Sequence, residues 1–330
     1  MNLDSNLSIR FARAQEAPIL IELLTRQHGL LYPHRYFYEA AFIADAIKTA
    51  QLFFAVAEDK GGKIVGMICA DARQARDGLL TFSLLTVLPA YRGRRIGPKM
   101  QDFLDETLDF SQYAYTRMYC LTMDTVSQKG TEKRGYTPTA LLPNRYFLDG
   151  SAANLAGRTP PMKRSHLLMC KASAHADAGT LYCPEGLRNF VAAVYGGMGV
   201  AFGFAECDSD AAAPSARPTS FSAVQHDRHS YCEIQIAGAG ADLAGLLRDC
   251  ARRYDACDFQ SYSVMLDMAH ESCPFACRVL REQGYAFTGL SPVAGRGACA
   301  VFSRSPSLPQ NRESFALLPS FLAMIEKLKQ

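Results

Sequence analysis

The sequence predicts an α/β (α+β, three-layer) architecture, a mixed β-sheet flanked by helices, occurring twice along one chain. Three observations carry this. Strand-like alternation is interleaved with apolar residues at helical spacing, a small, polar run between Lys171 and Gly179 divides the chain, and the elements after that run repeat the later order of those before it. At 330 residues the chain is long enough for two hydrophobic cores.

In order, Leu7 to Arg13 reads as a strand, and Ala17 to Leu31 as a helix with Leu20, Leu23, Leu24 and Leu31 on one face. Leu52 to Ala57 and Lys63 to Ala70 flank Asp59-Lys60-Gly61-Gly62 and form a hairpin, followed by a third strand, Leu79 to Val87. A helix from about Arg94 to Leu108 places Ile96, Met100, Phe103, Leu104 and Leu108 together. Tyr119 to Met123 is a strand, Ser127 to Arg134 a short helix, and Arg145 to Leu148 with Ser165 to Lys171 a closing hairpin.

The second part opens with a helix, Pro184 to Met198, whose proline sits where a missing N–H costs nothing. Glu206 to Ser220 reads as a surface loop and His226-Asp227-Arg228-His229 as a polar one. Then come a strand (Tyr231 to Ile236), a helix (Asp242 to Tyr254), a strand (Ser263 to Leu266), a helix (Pro274 to Gln283), a hairpin (Tyr285 to Leu290, Ala298 to Phe302) and a last helix (Phe315 to Leu328). The expected divisions are residues 1–171, 180–305 and a C-terminal helix within 306–330.

Composition narrows the function classes. Lys and Arg total 35 and Asp and Glu 32, scattered along the chain, so no strong field draws nucleic acid or an anionic membrane. There is no basic start with an apolar h-region and no apolar run of spanning length, which leads to a cytoplasmic expectation. The eleven cysteines include no Cys-x-x-Cys pair and read as reduced, buried thiols. His270, Cys273 and Cys277 come nearest to a metal cluster, but buried structural cysteine explains them, and no metal is expected.

The informative segment is Val87-Leu88-Pro89-Ala90-Tyr91-Arg92-Gly93-Arg94-Arg95-Ile96-Gly97, a strand, a turn and a helix start. A pyrophosphate needs several unpaired N–H groups pointing one way, which a helix N-terminus supplies together with a favourable dipole. Small residues admit the phosphates and arginines add charge. At these positions the chain resembles the acyl-coenzyme A loop of the GNAT superfamily, usually Arg or Gln, two residues, Gly, one residue, Gly or Ala. Arg92 and Gly97 match the ends, and Arg95 stands where the middle glycine is usual. Gly135-Tyr136 takes the place of the family's Gly-Phe.

Looser likeness to a two-part bacterial GNAT group runs through Leu31-Tyr32-Pro33-His34-Arg35-Tyr36-Phe37-Tyr38, Ser127-Gln128-Lys129 with Gly135 to Thr139, and Gly284 to Pro292. It implies a GNAT fold followed by a degenerate second GNAT-like C-terminal lobe. That lobe offers only Ala237-Gly238-Ala239-Gly240-Ala241-Asp242 in place of the phosphate loop, where Asp242 would cap a helix and repel phosphate.

The resemblance implies acetyl-CoA (coenzyme A) as cofactor, held by Leu85, Val87, Arg92, Gly93, Arg94, Arg95, Ile96, Gly97 and Ser127. It also implies that the strand edge at Leu85 to Val87 bonds the pantetheine arm and that the Val87 N–H faces the oxyanion. The family's usual acidic tyrosine is replaced by Thr131. Asp124 is a candidate to bind the acceptor amine or act as base, and equally a candidate helix cap. Tyr32, His34 and Tyr36 lie in the segment that faces the acceptor in this fold. The implied activity is acyl-CoA-dependent N-acetyl transfer to a small-molecule amine by direct attack. The alternatives are a non-catalytic acyl-CoA sensor or regulatory protein, and a protein N-acetyltransferase.

Overall fold

The protein is described by a computed structural model covering residues 7–123, 125–147, 163–206, 213–255, 261–293, 297–305, 317 and 319–326. It divides into two compact units, Met1–Tyr113 with Phe147–Met162, and Ala114–Tyr146 with Lys163–Gln330.

The first unit is built on four antiparallel strands in sequence order, β1 (Leu7–Phe11), β2 (Leu52–Asp59), β3 (Ile64–Asp71) and β4 (Leu79–Val87). Alternation sorts side chains between its two faces. Leu52, Phe54, Val56, Met67 and Cys69 point to one face and pack with Leu20, Leu23 and Leu24 of α1 (Ala17–His28) and Ile43 and Ala46 of α2 (Ala40–Lys48). The opposite face is lined by small residues, Ala55, Ala57, Gly66 and Ala70, which let α3 (Ile96–Thr107) lie close with Met100 and Leu104 fully buried. Each of those two side chains contributes about 1.5–3 kcal/mol by leaving water. The outcome is the expected three-layer arrangement.

The second unit contains β5 (Tyr115–Leu121), α4 (Val126–Glu132), β6 (Thr137–Phe147) and β7 (Lys163–Ala172), then β8 (Asp177–Leu181), α5 (Glu185–Met198) and β9 (Ala201–Phe204). These are followed by β10 (Ser220–His226), β11 (Tyr231–Gly238), α6 (Leu243–Asp255), β12 (Ser261–Asp267), α7 (Cys273–Glu282), β13 (Ala286–Val293), β14 (Gly297–Arg304) and α8 (Pro319–Glu326). Its strands run β5-β7-β6-β13-β14-β12-β11-β10, while β8 and β9 pair separately and in parallel. The order is palindromic about β6 and β13. The β12–α7–β13–β14 run repeats β5–α4–β6–β7, and β5–β7 and β12–β14 are both antiparallel. The repeat read from element order is therefore a repeat in space.

Several expectations shift. The helix placed from Arg94 begins at Ile96, because Arg95 takes a left-handed conformation (φ 58°). The strand placed at Tyr119 begins at Tyr115. The β8–β9 pair was not foreseen, its strands being short and rich in small residues. His226-Asp227-Arg228-His229 is not a solvated loop: it ends β10 and makes a 3-10 turn with His229 buried.

β6 and β13 share one paired position, Ala140 opposite Gly289. A Cβ built on Gly289 (φ 139°) would lie 2.2 Å from the Thr139 carbonyl oxygen and 2.4 Å from the Ala140 Cα. Gly289→Ala should therefore cost about 3 kcal/mol or more. Urea unfolding measures it, and a loss under about 1 kcal/mol would contradict this packing.

Candidate functional site

The turn after β4 is held by its own side chains. Pro89–Tyr91 forms one 3-10 turn, and the Tyr91 hydroxyl donates to Asp59 on the β2–β3 hairpin at 2.7 Å. The Arg92 guanidinium folds back, donating through Nε to the Val87 carbonyl (3.0 Å) and through Nη2 to Gln27 of α1 (2.9 Å). Gly93 (φ 79°) and Arg95 (φ 58°) are both left-handed. Glycine adopts that conformation freely, whereas arginine is strained there, so this chain keeps a glycine's backbone without the glycine.

The first i→i−4 bond of α3 runs from the Lys99 N–H to the Arg95 carbonyl (3.2 Å). Ile96 and Gly97 therefore present N–H groups ahead of the helical ladder, and Pro98 has none to present. Arg92, Gly93, Arg94 and Arg95 are exposed around them, with the Arg94 guanidinium 5.3 Å from the Tyr91 ring centre. Gly97 is buried, and a Cβ there would stand 3.3 Å from the Leu85 side chain, so it also sets the spacing of helix and strand.

β4 is irregular where it meets this turn. Met67 pairs with Thr86 and Cys69 with Ser83, so β4 carries one extra residue, a bulge in which Leu84 has φ 57° and Leu85 is half exposed. Beyond the bulge, the Leu88 N–H donates to the Val65 carbonyl at 2.9 Å. Antiparallel alternation then turns the N–H and C=O of Val87 away from β3. The bulge had no sequence signal, since no glycine marks it.

Tyr32, His34 and Tyr36 do gather. The rings of Tyr32 and His34 are 6.0 Å apart, and His34 stacks on Tyr36 at 5.3 Å and 15°. Two partners escaped the sequence reading. Arg73 lies 4.2 Å from the Tyr36 ring centre, donates from Nη2 to its hydroxyl (2.7 Å) and is clamped by the Asp71 carboxylate (2.9 Å from Nε). The only available signal was Asp71-Ala72-Arg73 just past an apolar strand. Burial pushes the Tyr36 and Tyr32 hydroxyls up. Both are therefore donors or acceptors, not bases, at neutral pH.

Among the remaining candidates, Asp124 lies outside the described residues, and Ser127 is exposed near the start of α4 in the second unit. Thr131 is buried with its hydroxyl 3.5 Å from the Cys120 sulfur and 3.7 Å from that of Met118, a packing position. In the repeat, the turn after β11 is filled by the chain itself. Ala239 N–H donates to Ser272 (2.8 Å), Gly240 N–H to Thr219 (3.0 Å), and the Asp242 carboxylate accepts from the Thr219 hydroxyl (2.7 Å). Asp242 thus ties Thr219 to the turn, a role the capping expectation did not include. Cys273 and Cys277 share a helix face, 3.9 Å apart, and among the described residues no three His, Cys, Asp or Glu side chains converge as a metal site requires. Among those residues no helix is long and apolar enough to cross a membrane.

His28 ends α1 beside this aromatic cluster, 5.3 Å from the Tyr32 ring, with Nδ1 buried and without a partner. Burial pushes its imidazole down to about 4. The unfolded chain then binds a proton below about 6.5 that the folded chain refuses, so stability is lost as pH falls from about 6.5 to about 4. His28→Asn should flatten that fall by about 2 kcal/mol, read from urea midpoints at pH 7 and 4.5. A parallel pH dependence in the two proteins would exclude a buried neutral His28.

The acetyltransferase (GNAT) family model matches residues 17–129. Similar solved structures include a ribosomal-protein-S5-alanine acetyltransferase from Vibrio fischeri (14% identity, TM-score 0.41, 53% of this chain and 97% of that one). A spermidine N-acetyltransferase mutant from Vibrio cholerae is 12% identical (TM-score 0.41, 51% and 95%). The protein yncA from Salmonella typhimurium, solved with its cofactor acetyl-CoA, is 18% identical (TM-score 0.42, 52% and 97%). No curated protein matches the chain. The segment that the acetyltransferase (GNAT) family model matches takes in α1 and the turn from Val87 to Gly97.

Proposed function

We propose that the chain is an N-acetyltransferase that takes acetyl from acetyl-CoA and passes it to a small-molecule amine. The observation that carries this is the start of α3, where the N–H groups of Ile96 and Gly97 precede the helical ladder inside a rim of three exposed arginines. That fits a pyrophosphate, which needs convergent donors and positive charge. In this reading Gly93, Arg94, Arg95, Ile96 and Gly97 hold the diphosphate, while Arg92, committed to Val87 and Gln27, fixes the shape of the turn. Ser127 is assigned to the cofactor by resemblance alone, as is the extent of the first lobe, residues 1–171.

Bound acetyl-CoA supplies an already activated acyl group. The chain's own contribution is positional. The Val87 N–H, turned away from β3, is the donor for the oxyanion, and Leu85 is assigned to the same edge by resemblance alone. Tyr32, His34 and Tyr36, braced by Arg73 and Asp71, form the acceptor wall, and Asp124 is a candidate amine contact. β4 carries no carboxylate, so the amine proton leaves through water. The runner-up reading is an acyl-CoA sensor, favoured by Thr131, whose hydroxyl is spent between two sulfurs at the family's acid position. Acylation of a protein amine is the third.

Gly97→Glu puts a carboxylate into the first turn of α3 while asking only the half-exposed Leu85 to shift. Acetyl-CoA affinity should fall at least about tenfold with the circular dichroism unchanged; equal affinity in calorimetry excludes the turn as the diphosphate site. A second measurement separates the readings: release of coenzyme A thiol with an acetylated product, across a panel of polyamines, amino acids and peptides, supports the enzyme. Saturable binding without product on any of them supports the sensor.

A further inference from the structure

A set of titratable side chains outside that site lies within the second unit, where residues near the end of β6 and the start of β7 meet residues of β10 and β11. Arg145 is buried, its guanidinium 4.5 Å from the Tyr119 ring centre and 4.6 Å from that of Tyr146, and Nη2 donates to the Glu233 carboxylate at 3.2 Å. The Tyr146 ring is met edge-on by His166 (5.7 Å), His226 (5.5 Å), His229 (5.1 Å) and Tyr231 (5.5 Å). Lys163 is turned aside, donating to the Ser230 carbonyl (2.6 Å) and the Ser261 hydroxyl (2.8 Å).

Three polar atoms in this cluster are buried without a hydrogen-bond partner: Nε of Arg145, the hydroxyl of Tyr146 and Nδ1 of His166. The residues are 7%, 4% and 6% exposed. Native interiors leave only a few such atoms per hundred residues, and here three occur on side chains in contact. All three can donate: Nε–H always does, the phenol rotates, and burial pushes the His166 imidazole down to about 3, so the ring is neutral with one N–H to offer. The Glu233 and His226 side chains are only half-buried, so the cluster reaches solvent at those two residues.

We propose that the second unit holds a ligand site of its own, in which a small carboxylate accepts hydrogen bonds from Arg145 Nε, the Tyr146 hydroxyl and His166 Nδ1. A carboxylate brings two acceptor oxygens and a single charge. A phosphate dianion would sit beside Glu233 with the Arg145 charge already shared, and is disfavoured. Glu233 at the rim then faces the rest of the ligand, and an α-ammonium group would pair with it.

The test uses the full-length protein with sodium acetate, benzoate, glycine and phenylalanine as probes, against sodium chloride at matched ionic strength. A saturable rise in melting temperature is expected with at least one carboxylate, and it persists in Gly97→Glu, which separates this site from the acyl-CoA turn. A larger rise with the amino acids than with acetate and benzoate identifies a zwitterion held by Glu233, and the reverse a simple acid. Tyr146→Phe removes an unpartnered hydroxyl, so its ligand-free melting temperature should stay level or rise by about 2 °C while carboxylate affinity falls about tenfold. The proposal is overturned if no carboxylate exceeds chloride, if phosphate exceeds every carboxylate, or if Tyr146→Phe melts lower without ligand and binds carboxylate as before.

Discussion

The bond from the Arg92 guanidinium to the Val87 carbonyl is the constraint around which the turn between β4 and α3 is arranged. It ties the last residue of β4 to the residue that begins the approach to α3, and its second arm reaches Gln27 on α1. A turn with two left-handed residues in three positions would otherwise sample many shapes, and each lost shape costs conformational entropy. Holding it from β4 and α1 prepays that entropy, so that the N–H groups of Ile96 and Gly97 stand convergent before any anion arrives. Tyr91 on Asp59 performs the same service from the hairpin side.

Much of the first unit was legible because its signals are local. The hairpin around Gly61-Gly62, the alternation of β4 and the apolar face of α3 each depend on neighbouring residues, and each is found where its pattern lies. What escaped is nonlocal. Arg73 joins the aromatic cluster only because β3 ends beside the turn carrying Tyr36, and nothing in Asp71-Ala72-Arg73 announces the aromatic partner. The bulge at Leu84 lacks the glycine that normally advertises a positive φ. The histidines at 226 and 229 read as polar, and it is the packing of Tyr146 that buries His229 and half-buries His226.

The turns that lead from β4 into α3 and from β11 into α6 differ in what meets their N–H groups. In the first, arginines surround helix N–H groups that precede the ladder. In the second, Ser272 and Thr219 accept from the N–H groups of Ala239 and Gly240, and Asp242 brings negative charge to the helix start. Moreover β11 and β12 pair in parallel over six consecutive positions, from Tyr231 opposite Ser261 to Ile236 opposite Leu266, leaving no gap for an extended ligand between them. The N–H groups of Ala239 and Gly240 are thus satisfied within the chain, and a ligand of this unit has to be sought elsewhere in it.

The palindromic strand order has a consequence for solubility. A sheet that stopped at β6 would end on a row of open N–H and C=O groups, the kind of edge that recruits strands from other molecules. Joining two half-sheets at Ala140 and Gly289 lays each half's last strand against the other's, so that the duplicated segment serves its twin as a covalently attached edge cover. Covering that edge asks nothing of a half-sheet's side-chain chemistry, only its backbone.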